Sequence, residues 1–169
     1  RAEFYSEGVA TVFPKSMPAL QLPVNEGHNP LPHFEPPAEA WIDNPLIKKY
    51  PLALATLHTK WRVHTTFYEV PALREMDPEP VVYLNHKESS KRGLKDGDYV
   101  TVFNDRGHCV VRLVVDDSIN DGGAAIPKGW QRHQFKEGGY QELTKNHINT
   151  VHYGMSFFDA LVEVEKWKR

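Results

Sequence analysis

The stretch Pro80–Val115, PVVYLNHKESSKRGLKDGDYVTVFNDRGHCVVRLVV, decides the fold. It opens with four β-forming residues, 81–84, which predict a short strand. Asn85 then stands where a helix N-cap belongs, and Glu88 three residues later completes the pattern of a capping box. Gly93 suits the left-handed backbone conformation that ends a helix. The stretch therefore predicts a strand, a short helix and a glycine-terminated turn.

Two longer strands follow in the same stretch. Asp96-Gly97-Asp98 turns the chain into residues 99–103, and the tight loop 104–107 turns it back into residues 108–115. Both strands are apolar at nearly every position instead of alternating with polar residues, so we expect both of their faces to be covered. Long apolar strands joined by tight turns predict a β-barrel.

Composition limits the class of protein. The chain has 169 residues, 40% of them hydrophobic, and a formal net charge of −2. These values predict one folded domain with a sizeable core and argue against disorder. The charge balance offers no basic excess for nucleic acid. No apolar run reaches the roughly 20 residues of a membrane helix, and the first residues lack the pattern of a signal peptide.

Residues 1–45 are unlike the rest of the chain because eight prolines interrupt them. Proline breaks helices and central strands, so we expect an extended lead-in arm that packs on the domain through apolar residues such as Phe34 and Trp41. Residues 46–169 are expected to form the domain itself. Because the first residue is not methionine, we expect the chain to be a piece of a longer protein.

The thiol and imidazole groups give little sign of a metal site. A single cysteine, Cys109, excludes an internal disulfide and any cysteine-rich metal or iron–sulfur site within this chain. Its place inside a predicted strand favours a buried structural thiol. The nine histidines lack the spacing to one another and to carboxylates that metal sites show, so no metal ligand is predicted.

Catalytic motifs are missing as well. The sequence has no G-x-S-x-G nucleophile elbow, no P-loop and no dinucleotide-binding glycine fingerprint. What it offers instead are neutral donors and cations at predicted strand ends. This chemistry indicates binding of an anionic ligand, not bond breaking.

One such strand end lies near the start of the domain. A predicted buried strand at residues 51–56 runs into the polar, aromatic and basic segment 57–67. Loops at strand ends present side chains and backbone N–H groups together, so this segment is a candidate ligand-binding loop. The alternative is a solvated loop with two incidental histidines, which residue types alone slightly favour.

A second strand end carries a tryptophan. The brief predicted strand 124–127 runs into Lys128-Gly129-Trp130. Trp130 is expected either to stack on a flat ligand or to plug the mouth of the barrel. Residues 160–164 predict a closing strand.

Six motifs occur in order along nearly the whole chain. They are Glu3-Phe4-Tyr5-Ser6-Glu7; Tyr50-Pro51-Leu52; Thr56 with His64-Thr65; His86 with Gly93-Leu94-Lys95-Asp96-Gly97-Asp98; Asn104-Asp105-Arg106-Gly107; and Leu143-Thr144 before Val162-Glu163-Val164. Together they resemble the C-terminal molybdopterin-dinucleotide-binding domain of the dimethyl sulfoxide reductase family of molybdenum and tungsten oxidoreductases. Each motif alone is weak, whereas six in register are specific.

The resemblance implies a fold and a cofactor. The implied fold is mainly β with short helices (α+β), a six-stranded double-psi β-barrel packed over the rest of a large catalytic subunit. The implied cofactor is bis(molybdopterin guanine dinucleotide), with molybdenum or tungsten in the parent protein. Hydroxyls and N–H groups suit a pyrophosphate, and imidazole or guanidinium groups add charge-assisted bonds. The predicted contacts, with Gln141 in place of the family's Asn, are Thr56, His58, Thr59, Arg62, His64, Thr65, Trp130, Gln141 and Asn149.

The metal ligand and iron–sulfur cysteines of this family lie in upstream domains, so the chain alone is expected to be catalytically inert. Its parent is expected to be an oxidoreductase of the kind used in anaerobic respiration. The implied partners are an iron–sulfur electron-transfer subunit and the remaining domains of its own catalytic subunit, with no nucleic acid and no direct membrane span. The expected compartment is the prokaryotic cytoplasm or periplasm.

The competing class is a free-standing double-psi barrel that acts as a protein-interaction adaptor, as in certain ATPases. Those domains lack the string from Thr56 to His64-Thr65 and the proline-rich lead-in. A barrel enzyme processed at a Gly-Ser bond is a third class, and this chain has no Gly-Ser.

Overall fold

Seven strands and several short helices make up the part of the chain that the structure, a computed structural model, describes: residues 34, 36–147, 156 and 159–168. All of these except Phe34 belong to one compact unit. The strands are β1 (Leu52–Leu57), β2 (Val81–Leu84), β3 (Tyr99–Phe103), β4 (His108–Val115), β5 (Gly123–Pro127), β6 (Glu137–Gly138) and β7 (Leu161–Lys166). The helices are α1 (Pro71–Met76), α2 (His86–Lys91) and the 3₁₀ helices Pro45–Lys48, Arg132–Gln134 and Tyr140–Glu142.

Six of these strands close into a ring in the order β2-β5-β1-β7-β3-β4, and β4 pairs back with β2. The pairs β1–β5 and β2–β4 are parallel, and the other four are antiparallel. The two-residue β6 adds to one end of β4. This closed six-stranded ring is the double-psi β-barrel that the sequence predicts, and the fold class is confirmed. Closure pairs the strand edges with one another.

The barrel interior is filled by aliphatic side chains from every strand of the ring. In β3 the buried residues Val100 and Val102 alternate with half-buried neighbours. They lie opposite Val111 and Cys109 of β4, as the predicted hairpin requires. Burial of each such side chain contributes on the order of 1.5–3 kcal/mol. The large side chains with at most 1% exposure are Leu52, Leu54, Val82, Leu84, Val100, Val102, Val110, Leu113, Ile126, Leu143, Leu161, Val162 and Val164.

The only cysteine of the chain lies in this interior. Cys109 has 0% exposure, and burial raises the pKa of its thiol to about 12. The thiol therefore stays protonated near neutral pH, which confirms the prediction of a buried structural group.

Helix α2 begins and ends as predicted, but the prediction of a capping box is wrong. The Asn85 side chain accepts from the Lys87 N–H at 2.7 Å, and Gly93 ends the helix with a φ of +64°. The Glu88 carboxylate does not return to the N-cap. It binds Arg92 Nη1 at 2.6 Å, because that guanidinium lies one turn further on and also reaches Glu163 of β7 at 2.6 Å. The ion pairs thus attach α2 to the barrel.

Two buried carboxylates hold segment 38–40 against the barrel. Asp159 accepts from the backbone N–H groups of residues 38, 39 and 40 at 2.7–2.9 Å and pairs with Lys145 at 2.5 Å. Glu39 binds both terminal nitrogens of Arg106, at 2.7 and 2.8 Å, and accepts from the Leu161 N–H at 2.8 Å. We call these groups the carboxylate latch. The rest of the predicted arm, residues 1–33 and 35, lies outside the described residues.

Candidate functional site

The candidate site forms where two parallel strands end together. In the register of β1 and β5, Leu57 lies opposite Pro127. The Lys128 N–H then donates to the Leu57 carbonyl at 2.9 Å, which holds the two exits side by side. The loop after β1 and the loop after β5 consequently leave the barrel at the same end, where their side chains meet.

A glycine allows these two loops to touch. Gly129 has a φ of +96°, and a Cβ at this position would lie 1.9 Å from the His64 carbonyl oxygen. Any other residue would therefore push the loops apart. His64 itself adopts a φ of +52°, a left-handed conformation that is uncommon outside glycine. The close approach places His64 and Thr65 beside the end of β5.

Between the two loops lies a pocket of about 250 Å³. Its apolar surfaces come from aromatic rings and proline, and its polar groups are hydroxyls, an amide, an imidazole and one ammonium. Its lining residues are Thr56, His64, Thr65, Pro127, Lys128, Gly129, Trp130, Phe135, Tyr140 and Gln141.

The phenol in this pocket is neutral. Burial raises the pKa of Tyr140 well above its ordinary value, and a hydrogen bond with Thr56 opposes that rise without cancelling it. Tyr140 and Thr56 therefore present hydroxyls, not charges, and Lys128 is a cationic member of the lining. Uncharged donors beside an ammonium group and aromatic walls suit a planar ligand that carries negative charge.

Trp130 forms one wall and is itself held from behind. Its exposure is 7%, and the Arg62 guanidinium carbon lies 3.7 Å from the centroid of its ring. Arg62 donates from Nε to Asp77 at 3.1 Å and from Nη1 to the Gly129 carbonyl at 3.3 Å. The Trp130 Nε1 is buried and has no hydrogen-bond partner among the described residues. Trp130 thus packs into the barrel end and also faces the pocket, which combines the two alternatives that the sequence left open.

The structure brings most of the predicted contact residues together. Thr56, His64, Thr65, Trp130 and Gln141 all line the pocket. These residues come from three separate segments of the chain, so only the fold makes them neighbours.

The other predicted contacts lie elsewhere. His58 is adjacent to the pocket, since its ring centroid is 6.2 Å from that of His64. The Thr59 hydroxyl closes its own loop by donating to the Arg62 carbonyl and accepting from the Arg62 N–H, at 3.2 and 3.1 Å. Arg62 is buried behind Trp130, and Asn149 lies outside the described residues.

Five pocket residues were not predicted. Pro127, Lys128 and Gly129 had a signal, because they precede Trp130 at the end of a predicted strand. Phe135 and Tyr140 had none, because they reach the pocket from short segments on either side of β6 that carry no periodic pattern.

In residues 36–147 and 159–168, no group of three or more His, Cys, Asp or Glu side chains has the arrangement of a metal site. None of the helices in the described part of the chain is long and apolar enough to cross a membrane.

Fold and pocket together define a ligand-binding double-psi β-barrel. Residues 52–160 match the family described as the molydopterin dinucleotide binding domain. The chain belongs to this family and is a molybdopterin-dinucleotide-binding domain of the dimethyl sulfoxide reductase type. The predicted family and its cofactor, a molybdopterin guanine dinucleotide, are thereby confirmed, and the adaptor alternative is not favoured.

Curated relatives agree with this assignment. The chain is 38% identical over 118 residues to a putative dimethyl sulfoxide reductase catalytic subunit of Halobacterium salinarum, covering 70% of this chain and 14% of that protein. It is 32% identical over 171 residues to dimethyl sulfoxide reductase DmsA of Escherichia coli, covering 98% of this chain and 20% of that protein. The chain thus spans a fifth or less of these relatives.

A solved structure shares the fold. Acetylene hydratase from Pelobacter acetylenicus superposes with a TM-score of 0.73 and 23% sequence identity, over 83% of this chain and 22% of that one.

Proposed function

We propose that the pocket between the β1 and β5 loops binds part of the molybdopterin guanine dinucleotide. The observation that carries the proposal is the convergence of five predicted contact residues, from three separate segments, on one pocket. The solvated-loop alternative gives no reason for such convergence.

The residues of the pocket fit part of this cofactor. Pockets that enclose a drug-sized ligand measure about 300–1,000 Å³, so 250 Å³ holds a fused ring system and not a whole dinucleotide. Trp130 offers a flat face for such a ring, and the Gln141 amide offers both a donor and an acceptor to its edge. The Thr65 hydroxyl and the Lys128 ammonium are suited to a neighbouring phosphate.

The bound cofactor would supply the metal at which oxidation and reduction take place. The residues of this chain bind and orient the cofactor and exclude water from it. We propose no catalytic residue in this chain.

We further propose that the parent is a catalytic subunit of a molybdopterin oxidoreductase. The catalytic subunit named among its relatives supports this, as does the small share of the relatives' length that the chain covers. The proposed partners are an iron–sulfur electron-transfer subunit and the remaining domains of the catalytic subunit itself.

Exposed apolar side chains on the segment between β1 and β2 support contact with other domains of the same subunit. On the segment between β1 and β2, Val63, Phe67, Val70 and Met76 are 62%, 58%, 40% and 56% exposed. Exposed apolar side chains grouped on one segment are typical of surfaces that another protein surface covers.

A titration tests the proposal. The 169-residue chain is titrated separately with guanosine diphosphate and with extracted molybdopterin guanine dinucleotide, and backbone amide shifts are followed by NMR. We expect shifts to cluster at 56–65, 128–130 and 140–141. Affinity is expected to be weak because much of the cofactor would contact other domains, so the location of the shifts decides. Inorganic pyrophosphate is the control for a phosphate-only site. Absence of shifts in these segments at saturating ligand would refute the assignment of the pocket.

A further inference from the structure

We infer that Arg62 is a positioning residue, which fixes the Trp130 wall of the pocket through a stacked, ion-paired clamp and does not touch the ligand. The inference deepens the proposed function and rests on it for its ligand. The sequence predicts a different role for Arg62, which is a direct charge-assisted contact with the cofactor.

Arg62 is almost fully buried and lies against a carboxylate. Its side chain is 3% exposed, and its ion-pair partner Asp77 is 18% exposed. Nε donates to the Asp77 carboxylate at 3.1 Å, and Nη2 lies 3.0 Å from the same oxygen without a hydrogen bond to any described residue. A cation this well buried and paired has little charge left to offer a ligand on the far side of an indole ring.

The Arg62 guanidinium stacks on the ring of Trp130. The guanidinium lies against the Trp130 ring at 3.7 Å, while its Nη1 donates to the carbonyl of Gly129, the preceding residue. Arg62 therefore contacts both the ring of Trp130 and the backbone from which that ring projects. With Asp77 holding the edge of the guanidinium, the indole has a fixed plane before any ligand arrives.

Arg62 also connects the loop after β1 to the loop after β5. The Arg62 backbone is closed onto the Thr59 hydroxyl, and two residues later the His64 carbonyl packs against Gly129. One clamp therefore sets the loop after β1 and the loop after β5 together. A planar, bidentate and stacking group is needed for this, and lysine lacks all three properties.

The test begins with the free 169-residue chain. Fluorotryptophan is incorporated, the Trp130 signal is assigned with Trp130→Phe, and fluorine NMR spectra of Arg62→Lys and the wild type are compared. We expect the Trp130 signal in Arg62→Lys to shift or broaden while the signals of Trp41 and Trp167 stay in place. Arg74→Lys, at an exposed position of α1, is the matched control. Should Arg62→Lys fail to fold, Asp77→Asn serves instead, because it loosens the clamp and leaves Arg62 present.

The second measurement is ligand affinity at low and high ionic strength. We expect Arg62→Lys and Arg62→Gln to bind the dinucleotide about three- to tenfold more weakly, because the indole of Trp130 must then be ordered when the ligand binds. Their dependence on salt should match that of the wild type, whereas Lys128→Gln should flatten it.

Three outcomes decide the matter. An unchanged Trp130 signal in both Arg62→Lys and Asp77→Asn would overturn the clamp. A flattened salt dependence in Arg62→Gln would show that Arg62 meets the anionic ligand directly, which overturns its positioning role. If the wild-type chain shows no ligand shifts in the pocket, the proposed function fails, and the fluorine spectra still decide whether Arg62 holds Trp130.

Discussion

At the scale of single residues, the contact between Gly129 and His64 is the tightest constraint on the pocket. Both residues adopt positive φ angles, and the backbone of one lies where a side chain of the other would be. The site therefore depends on two backbone conformations as much as on the side chains that line it.

Gly129→Ala should destabilise the chain by about 2–4 kcal/mol, because it adds a left-handed alanine and a clash with the His64 carbonyl. Gly97→Ala is the control. Its φ is +82°, but nothing lies within 4 Å of the added Cβ, so only the conformational cost of about 1–2 kcal/mol applies. Urea unfolding of the two variants measures the difference. Equal losses would show that the loops separate freely.

The double variant His64→Ala with Thr65→Ala should weaken dinucleotide binding by about tenfold or more, since each lost hydrogen bond contributes about 1 kcal/mol. The change is measured as the affinity from amide shifts. His86→Ala, at an exposed histidine outside the pocket, should leave that affinity unchanged. Wild-type affinity in the double variant would remove both residues from the site.

At the scale of elements, the carboxylate latch joins segment 38–40 to the residues that precede β7. Burial pushes the pKa of Asp159 upward, but hydrogen bonds from Lys145 and from the N–H groups of Ala40 and Glu39 outweigh it and hold the pKa below its usual value. A carboxyl group whose pKa is lower in the folded state adds stability above its unfolded pKa of about 4. That stability is lost as the pH falls through the folded pKa.

Asp159→Asn should therefore destabilise the chain by about 2–4 kcal/mol near neutral pH, because it leaves the half-buried Lys145 and the N–H groups of segment 38–40 without their carboxylate partner. The difference from wild type should shrink as the pH falls from about 4, where the unfolded chain takes up the proton, through the lower pKa of the folded carboxyl group. Urea unfolding between about pH 7 and pH 3 measures both effects. The exposed carboxylate Asp117, which pairs with His86, provides the control variant Asp117→Asn. A pH-independent difference would mean that the charge of Asp159 is not what stabilises the latch.

At the scale of the whole molecule, closure of the ring protects the barrel strands from solvent. Each strand is paired along both edges, and most of its inner face is covered. Amide exchange should therefore be slowest in 81–84, 99–103 and 108–115, whose N–H groups exchange only through large openings of the barrel. The loop 59–66, with few backbone bonds, should exchange fast and serves as the internal comparison. Fast exchange in the three strands would contradict the assigned core.

The barrel was largely predictable from sequence, and the pocket was only partly so. Residues 80–115 carry strand, cap and turn signals that depend on local chemistry, and their elements form where predicted. The burial of Arg62 could not be predicted from sequence, because it depends on Asp77 and Trp130, which lie far from it in sequence. Asn104 is a similar case. It occupies the predicted tight loop 104–107, yet its side chain is buried and donates to the carbonyls of Leu143 and Leu161.

The buried thiol of Cys109 gives the chain an internal reporter of its own opening. An alkylating reagent reaches this sulfur only when β4 separates from its neighbours, so the labelling rate in native buffer equals the open fraction multiplied by the rate for an exposed thiol. With one cysteine in the sequence, a single mass increment counts opened molecules directly. Cofactor bound between the β1 and β5 loops should slow that labelling in proportion to its occupancy. The labelling rate of Cys109 therefore measures ligand binding.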